Sequence, residues 1–245
     1  MKKEYLGEAV VEYLLNIANS NFEPWRRANK NADISKFELQ LNKMNVSGAV
    51  FDMVKLLDVS KNVISKFTAE KIYNEALKWA ERYDKELEAM LTQNKEYAIR
   101  ILNIERGNEK PRKDIAKWSE IKKSIEYMYD DIFKNNTNYE FQKISDMEEI
   151  KTILEKYEKQ YFDINDDKQT WFNKIKDLGE ELGYAREVKE YKQEPEKYKG
   201  HVGDISTVIR VALTGRCNTP DLYEIMQVLG KDSIINRINK ICGGN

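Results

Sequence analysis

The chain has 245 residues, 34% of them charged and 41% hydrophobic, with four prolines and two cysteines. That balance excludes a disordered or disulfide-built protein and suits one large helical body or two to three small domains. Lys and Arg number 41 against 42 Asp and Glu, a formal net charge of −1, which excludes a general basic excess and requires any nucleic-acid site to be local.

Val10, Val11, Leu14, Leu15 and Ile17 recur at helical spacing and predict an opening helix that stops at the polar run Asn19, Ser20, Asn21. Trp25 to Lys36 reads as polar and irregular. Ala49 to Leu57 reads as a small buried helix after Gly48, and a first unit is expected over 1–62. Thr68 is placed to cap a long helix running to about Leu91, with Ile72, Ala76, Trp79, Ala80, Tyr83 and Leu87 along one apolar face. A second helix, Lys95 to Arg106, stops at Gly107. From there to Lys123 the chain is locally basic, whereas Tyr139 to Asp167 is acidic; this contrast is either one face turned to a polyanion or a solvated surface. Ser145 with Glu148 forms a capping-box pattern for a helix ending near Tyr161, and Asp163 to Asp167 reads as a linker.

The last third opens on a helix carrying Trp171, Phe172, Ile175, Leu178 and Leu182, closed by Gly183. Lys189 to Lys199, with Pro195, predicts a loop or short helical excursion. Three short helices follow: Ile205 to Leu213 closed by Gly215, Leu222 to Leu229 closed by Gly230, and Ile234 to Ile241 closed by Gly243. Helices this short are marginal alone and must pack on one another. With no hairpin or βαβ pattern in competition, the fold class is all-α.

Catalytic constellations are missing from this sequence. His201 is the one histidine, and Cys217 and Cys242 lack a metal-like spacing, so no metal site and no catalytic residue is assigned. A loop role for His201 between Gly200 and Gly203 competes with a general-base role that has no partner nearby. The glycines are scattered as helix terminators, not gathered into a phosphate loop. The apolar runs fall short of the roughly 20 residues of a membrane span. Two cysteines without a secretory signal predict reduced thiols and a cytoplasmic setting.

Three blocks near the end carry more information than periodicity: Arg210-Val211-Ala212-Leu213-Thr214-Gly215, then Thr219-Pro220-Asp221-Leu222, then Leu229-Gly230-Lys231-Asp232. Their order and spacing resemble the terminal signature of glutamyl-tRNA synthetases. Ser47-Gly48-Ala49-Val50-Phe51-Asp52, followed by Lys55-Leu56, resembles a second element of the same bacterial-type class I family. The likeness spans nearly the whole chain and is loosest over Glu70 to Asp131. Lys43-Met44-Asn45-Val46-Ser47 is similar in outline to the family's K-M-S-K-S loop but lacks its second lysine, so it is set aside.

The resemblance implies the tRNA-binding, anticodon-recognising part of a glutamate-tRNA ligase. Residues 1–62 would be a connective helical unit touching the inner side of tRNA, and 63–160 and 161–245 two helical anticodon-binding units. ATP and Mg, and all catalysis, would belong to a catalytic domain of the same parent chain lying N-terminal to residue 1. The implied partner is glutamate tRNA, with glutamine tRNA open as a second. Arg210, Thr219 and Leu222 match anticodon-contacting positions of the family; Arg106 and Arg112 are the candidates for the third anticodon base. Lys113, Lys117 and Lys122 are expected on the tRNA backbone. Each has a plain structural counterpart: Thr219 as an N-cap ahead of Pro220, Leu222 as core, Arg210 as a buried partner of Asp204 or Glu224. A stand-alone RNA-binding paralogue and a helical protein-interaction module are the competing readings.

Overall fold

The computed structural model describes residues 4–45 and 50–243. Among them every regular element is helical and no strand forms, so the protein is all-α. The chain divides into two compact units, Met1–Ile125 and Glu126–Asn245.

In the first unit, α1 (Gly7–Ala18) packs on α2 (Phe22–Ala28) and α3 (Met53–Ile64). The opening helix is where its periodicity predicts it, but the buried positions differ. Val11 and Leu14 are exposed, while Ala9, Glu12 and Tyr13 are buried. Glu12 can be buried because Arg26 meets it, Nη2 donating to Oε2 at 3.0 Å and Nε standing 2.8 Å from Oε1. Arg26 lies on α2, a helix in part of the stretch whose polarity predicts irregular chain. Its polar residues form that helix's outer surface, and Phe22 anchors it at 0% exposure.

The third helix also corrects the sequence. It starts at Met53, where the Asp52 carboxylate accepts from the Val54 and Lys55 N–H groups, and it runs on to Ile64. Val50, Phe51, Met53 and Val54 are exposed rather than buried. Residues 46–49, which carry Ser47-Gly48-Ala49 of the second resemblance element and the tail of the K-M-S-K-S-like stretch, lie outside the described residues.

Thr68 does cap a helix, its hydroxyl accepting from the Lys71 N–H. That helix, α4 (Ala69–Tyr83), ends at Asp84 instead of continuing to Leu91. Asp84 is extended, and its carboxylate accepts from the Leu87 N–H at 3.0 Å to start α5 (Lys85–Gln93). Asn94 repeats the device for α6 (Lys95–Asn103). Two short polar caps therefore fold one apolar stripe into a three-helix cluster in which α4, α5 and α6 all touch. Ile72, Ala76, Leu87, Leu91, Ala98 and Leu102 fill it at 0% exposure. After α6 the backbone turns through Glu105 at φ 56° and Gly107 at φ 79°, and α7 (Ile121–Ile125) completes the unit.

The second unit begins with α8 (Asp130–Phe133) and α9 (Met147–Lys156), which continues into one π-helical turn over Tyr157–Tyr161. Asp146, one residue past Ser145, is the cap of α9, accepting from the Glu148 N–H at 3.0 Å. Asp167 in turn caps α10 (Lys168–Glu181). Then come α11 (Val188–Gln193), α12 (Val202–Thr214), α13 (Leu222–Leu229) and α14 (Lys231–Cys242). The centre of the unit is α12, which touches α9, α10 and α14 and buries Val202, Ile205, Val208, Ile209, Val211, Ala212 and Leu213. It ends at Gly215, left-handed at φ 68°, where a Cβ would come within 2.8 Å of Asn136 Nδ2. A side chain there would meet both backbone strain and a neighbour.

His201 settles as a structural group. Its Nδ1 accepts from the Gly203 N–H at 3.0 Å, and the Asp204 carboxylate accepts from the His201 N–H at 2.9 Å, a reciprocal cap for the central helix. Tyr157 is fully buried in the π-helical turn, where its hydroxyl accepts from Trp171 Nε1 at 3.0 Å and lies 3.6 Å from Met226 Sδ. Burial pushes its phenol well above the ordinary range.

Candidate nucleic-acid interface

The turn between α12 and α13 is short because both flanking helices are capped tightly. Gly215 closes the first, and Asp221 opens the second by accepting from the Glu224 N–H at 3.0 Å. The Asp221 carboxylate is itself held 2.7 Å from Lys168 Nζ. Thr219 is therefore not the cap that its place before Pro220 suggests. Its hydroxyl instead accepts from Arg210 Nη1, which also donates to the Pro220 carbonyl at 2.8 Å and lies 3.4 Å from the Thr219 carbonyl oxygen. Arg210 thus reaches across the turn from α12 and fixes its shape.

Thr214 locks the near side. Its hydroxyl donates to the Arg210 carbonyl at 2.7 Å and accepts from the Arg216 N–H at 3.2 Å. Arg216 follows the closing glycine, donates to Glu126 Oε1 at 3.1 Å and lies 4.8 Å over the Tyr127 ring. Sequence reasoning passed over Arg216; the available signal was a basic residue directly after a helix-ending glycine. Asn218 is exposed, and Arg210, Arg216, Thr219, Pro220 and Asp221 are half-buried, so the turn offers a guanidinium, hydroxyl, amide and carbonyl groups at a surface. Leu222 differs, being buried at 3% exposure as the first residue of α13. The structure brings Arg210 and Thr219 into contact and buries Leu222 at the helix start that follows the turn.

In the first unit, Arg106 and Arg112 converge on one carboxylate. Arg112 Nε lies 2.9 Å from Asp114 Oδ2, Arg106 Nη2 lies 3.5 Å from Asp114 Oδ1, and Arg106 Nε donates to the Leu102 carbonyl at 2.6 Å. The Arg106 side chain is only 2% exposed. Burial, then the neighbouring Arg112 charge, lowers its guanidinium to about 10, with Asp114 working the other way. Two cations share one anion here, Arg106 closed to water and Asp114 open to it at 30% side-chain exposure.

The three lysines of the basic segment are not equivalent. Lys122 is engaged with Glu86, and Lys117 Nζ lies 5.5 Å from the Tyr5 ring centroid. Lys113 is exposed. Among the described residues no group of three or more His, Cys, Asp or Glu side chains could hold a metal ion, and no helix is long and apolar enough to cross a membrane.

Residues 71–242 match the family model described as the anticodon binding domain. The chain is 46% identical over 241 residues to a glutamate–tRNA ligase of Clostridium perfringens and 47% identical over 241 residues to one of Acetivibrio thermocellus. In each case the match covers 98% of this chain and 44% of the relative, so the chain spans less than half the length of these relatives. A glutamate tRNA ligase crystal structure from Elizabethkingia meningosepticum, in complex with its amino acid, matches 98% of this chain and 42% of its own. Its TM-score is 0.64 at 16% identity, a likeness of fold. A second, from Elizabethkingia anophelis, has a TM-score of 0.65 at 17% identity.

Proposed function

Because the chain belongs to the anticodon-binding domain family, we propose that it binds the anticodon arm of a tRNA and contributes tRNA selectivity to a glutamate–tRNA ligase. In this reading it is the tRNA-binding portion of the ligase; glutamate tRNA is the partner, glutamine tRNA is the competitor it has to accept or reject, and the setting is cytoplasmic. Residues 1–62 connect to the inner side of the tRNA, and 63–160 and 161–245 receive the anticodon. The chemistry of glutamate attachment, with ATP and Mg, belongs to a catalytic domain.

The observation that carries this reading is Arg210 held across the α12–α13 turn by Thr219 and Pro220. Sequence-specific RNA recognition targets unstacked loop bases, whose edges are read by fixed donors and acceptors. A guanidinium on a rigid helix, braced against a half-exposed turn, is such a donor. Leu222, being buried, serves by supporting the turn. The Arg106–Arg112–Asp114 cluster is the corresponding candidate in the first unit, with Arg112 the more accessible of its guanidinium groups.

Replacing Arg210 by Gln, or Thr219 by Val, should reduce discrimination between glutamate tRNA and an anticodon-substituted transcript by roughly 1 to 3 kcal/mol, the scale of one misread base in a protein–DNA site. Since Asp221 rather than Thr219 caps α13, the Thr219 variant tests the turn without uncapping the helix. An unchanged affinity ratio in both variants, with intact thermal melting, would mean that this turn only holds two helices together.

The lysine–phosphate pairings separate by salt dependence. With Lys113, Lys117 and Lys122 all changed to Ala, the slope of log affinity against log salt should flatten by about 1 to 3, roughly one for each phosphate no longer neutralised. Lys113→Ala alone should account for a large share of that flattening, because Lys122 already faces Glu86. A slope that the triple variant leaves unaltered assigns the basic segment to solvent.

A further inference from the structure

The first unit carries a second feature that could meet RNA, remote in sequence from the α12–α13 turn. A cavity of ≈ 300 Å³ is lined by Asn21, Trp25, Lys36, Phe37, Glu38 and Gln40. Its apolar wall is a built aromatic pair: Trp25 and Phe37 meet at 5.3 Å with their planes 61° apart, both on Phe22, which is fully buried. Arg26 lies 5.0 Å over the Trp25 ring and is pinned by Glu12 and by the Ala32 carbonyl at 2.8 Å. The rings are thus fixed in place while staying half-exposed.

The polar wall is complementary to a base edge. Asn21 Nδ2 donates to Gln40 Oε1 at 2.7 Å; this orients both amides and leaves an acceptor, Asn21 Oδ1, and a donor, Gln40 Nε2, for a ligand. The Glu38 carboxylate can accept from an exocyclic amine, and the exposed Lys36 can meet a phosphate. Flat π surface, paired amide donor and acceptor, and a nearby cation are the features by which proteins hold unstacked bases. The volume is at the small end of the roughly 300–1,000 Å³ of small-molecule sites.

We infer that the Trp25–Phe37 cavity is a nucleobase-binding pocket that takes one unstacked base of the bound RNA. The inference rests on the RNA-binding reading above, but the pocket can be tested without it. Trp79, Trp118 and Trp171 are exposed at only 6%, 4% and 6%, so Trp25 is the indole that a ligand reaches. Titration with AMP, GMP, CMP and UMP should quench its fluorescence saturably, whereas ribose 5-phosphate should not. The signal should be absent in Trp25→Phe, and Phe37→Ala should weaken nucleotide binding roughly tenfold, in the range of one base–aromatic stack. Should Phe37→Ala melt early, Gln40→Ala, an exposed position, should still reduce nucleotide binding.

In gel-shift titrations of the whole chain with glutamate tRNA, Phe37→Ala should lower affinity by a similar factor while leaving anticodon discrimination intact. No saturable quenching by any nucleotide, or equal quenching by ribose 5-phosphate, overturns the inference. If nucleotides quench but the wild-type chain does not bind tRNA, the anticodon reading fails and the pocket stands. The converse, tRNA binding with discrimination but no effect of nucleotides or of Phe37→Ala, removes the pocket alone.

Discussion

Changing Arg237 to methionine is expected to destabilise the second unit by about 3 kcal/mol. This side chain on α14 is 4% exposed. Its Nη1 donates to the Tyr127 carbonyl at 2.8 Å and to the Leu213 carbonyl, its Nε and Nη2 reach Asp130 Oδ1 at 3.0 and 2.6 Å, and its guanidinium lies 4.0 Å from the Phe133 ring centroid. Methionine fills much of the volume but donates nothing. Two buried carbonyls are then left without a charged donor, at roughly 1 to 3 kcal/mol each. The ion pair itself adds less, because the Asp130 side chain is 58% exposed and solvent screens it. Arg237→Lys should recover only a minor part, since one ammonium cannot copy a planar fork reaching three acceptors. Chemical denaturation followed through Trp171 checks this, and a loss below about 0.5 kcal/mol, the ordinary scale of an inconsequential surface change, would contradict the network.

The second large effect is expected at Glu12. Glu12→Ala removes the partner of a guanidinium whose side chain is 16% exposed and leaves an uncompensated charge between α1 and α2. Breaking a buried pair from one side costs roughly 3 to 5 kcal/mol; partial exposure puts this one nearer about 2. Arg26 also donates to the Asn29 and Ala32 carbonyls, so the loop after α2 should loosen and Trp25 should become more accessible to acrylamide. Removing both partners in Glu12→Ala/Arg26→Ala should cost less than the sum of the single changes, and strict additivity would show that the pair is not coupled.

Both networks are hard to see in the sequence for the same reason. Arg237 stands there only as a charge inside the short helix Ile234 to Ile241, and Glu12 as a charge inside an apolar run, because a buried ion is licensed by a partner that periodicity does not reveal. The Glu12–Arg26 pair explains why the buried side of α1 carries Glu12 and Tyr13 while Val11 and Leu14 stay outside. By contrast, the ends of three helices closed by glycine are legible almost to the residue: α13 runs Leu222–Leu229 before Gly230, and α12 and α14 stop at Gly215 and Gly243, whereas α6, expected to reach Arg106 before Gly107, already ends at Asn103. There the stop signal is a property of one residue's backbone.

Aspartates are the weaker punctuation. Asp84 breaks a stripe that is continuous in apolar spacing, Asp146 caps where Ser145 has the expected spacing, and Asp221 caps where Thr219 stands before a proline. In the last two cases a neighbouring position also offers a suitable side chain, Ser145 beside Asp146 and Thr219 near Asp221, and packing of the following helix selects one. At the candidate interface, the ordered blocks locate the turn, and residue chemistry suggests what it offers. That Thr219 accepts from Arg210, and that Arg106 is nearly closed to solvent, are consequences of tertiary approach which no local pattern encodes.

Arg237 also bears on how the second unit comes to be made. It joins α14 to Asp130, 107 positions earlier, and two neighbours on the same helix repeat the reach: Ser233 donates to Asp130, and Lys240 donates to the Lys134 and Asn136 carbonyls at 2.7 Å. Contacts of such long sequence separation close late, because a large loop must be ordered before they reward it. On a ribosome, α8 leaves the exit tunnel long before α14 exists. The unit therefore waits with the faces of α9 and α12 that α14 covers open to other chains, until synthesis has passed Lys240. During that interval its open apolar faces are prone to association, and slowing translation after α12 should lengthen the exposure.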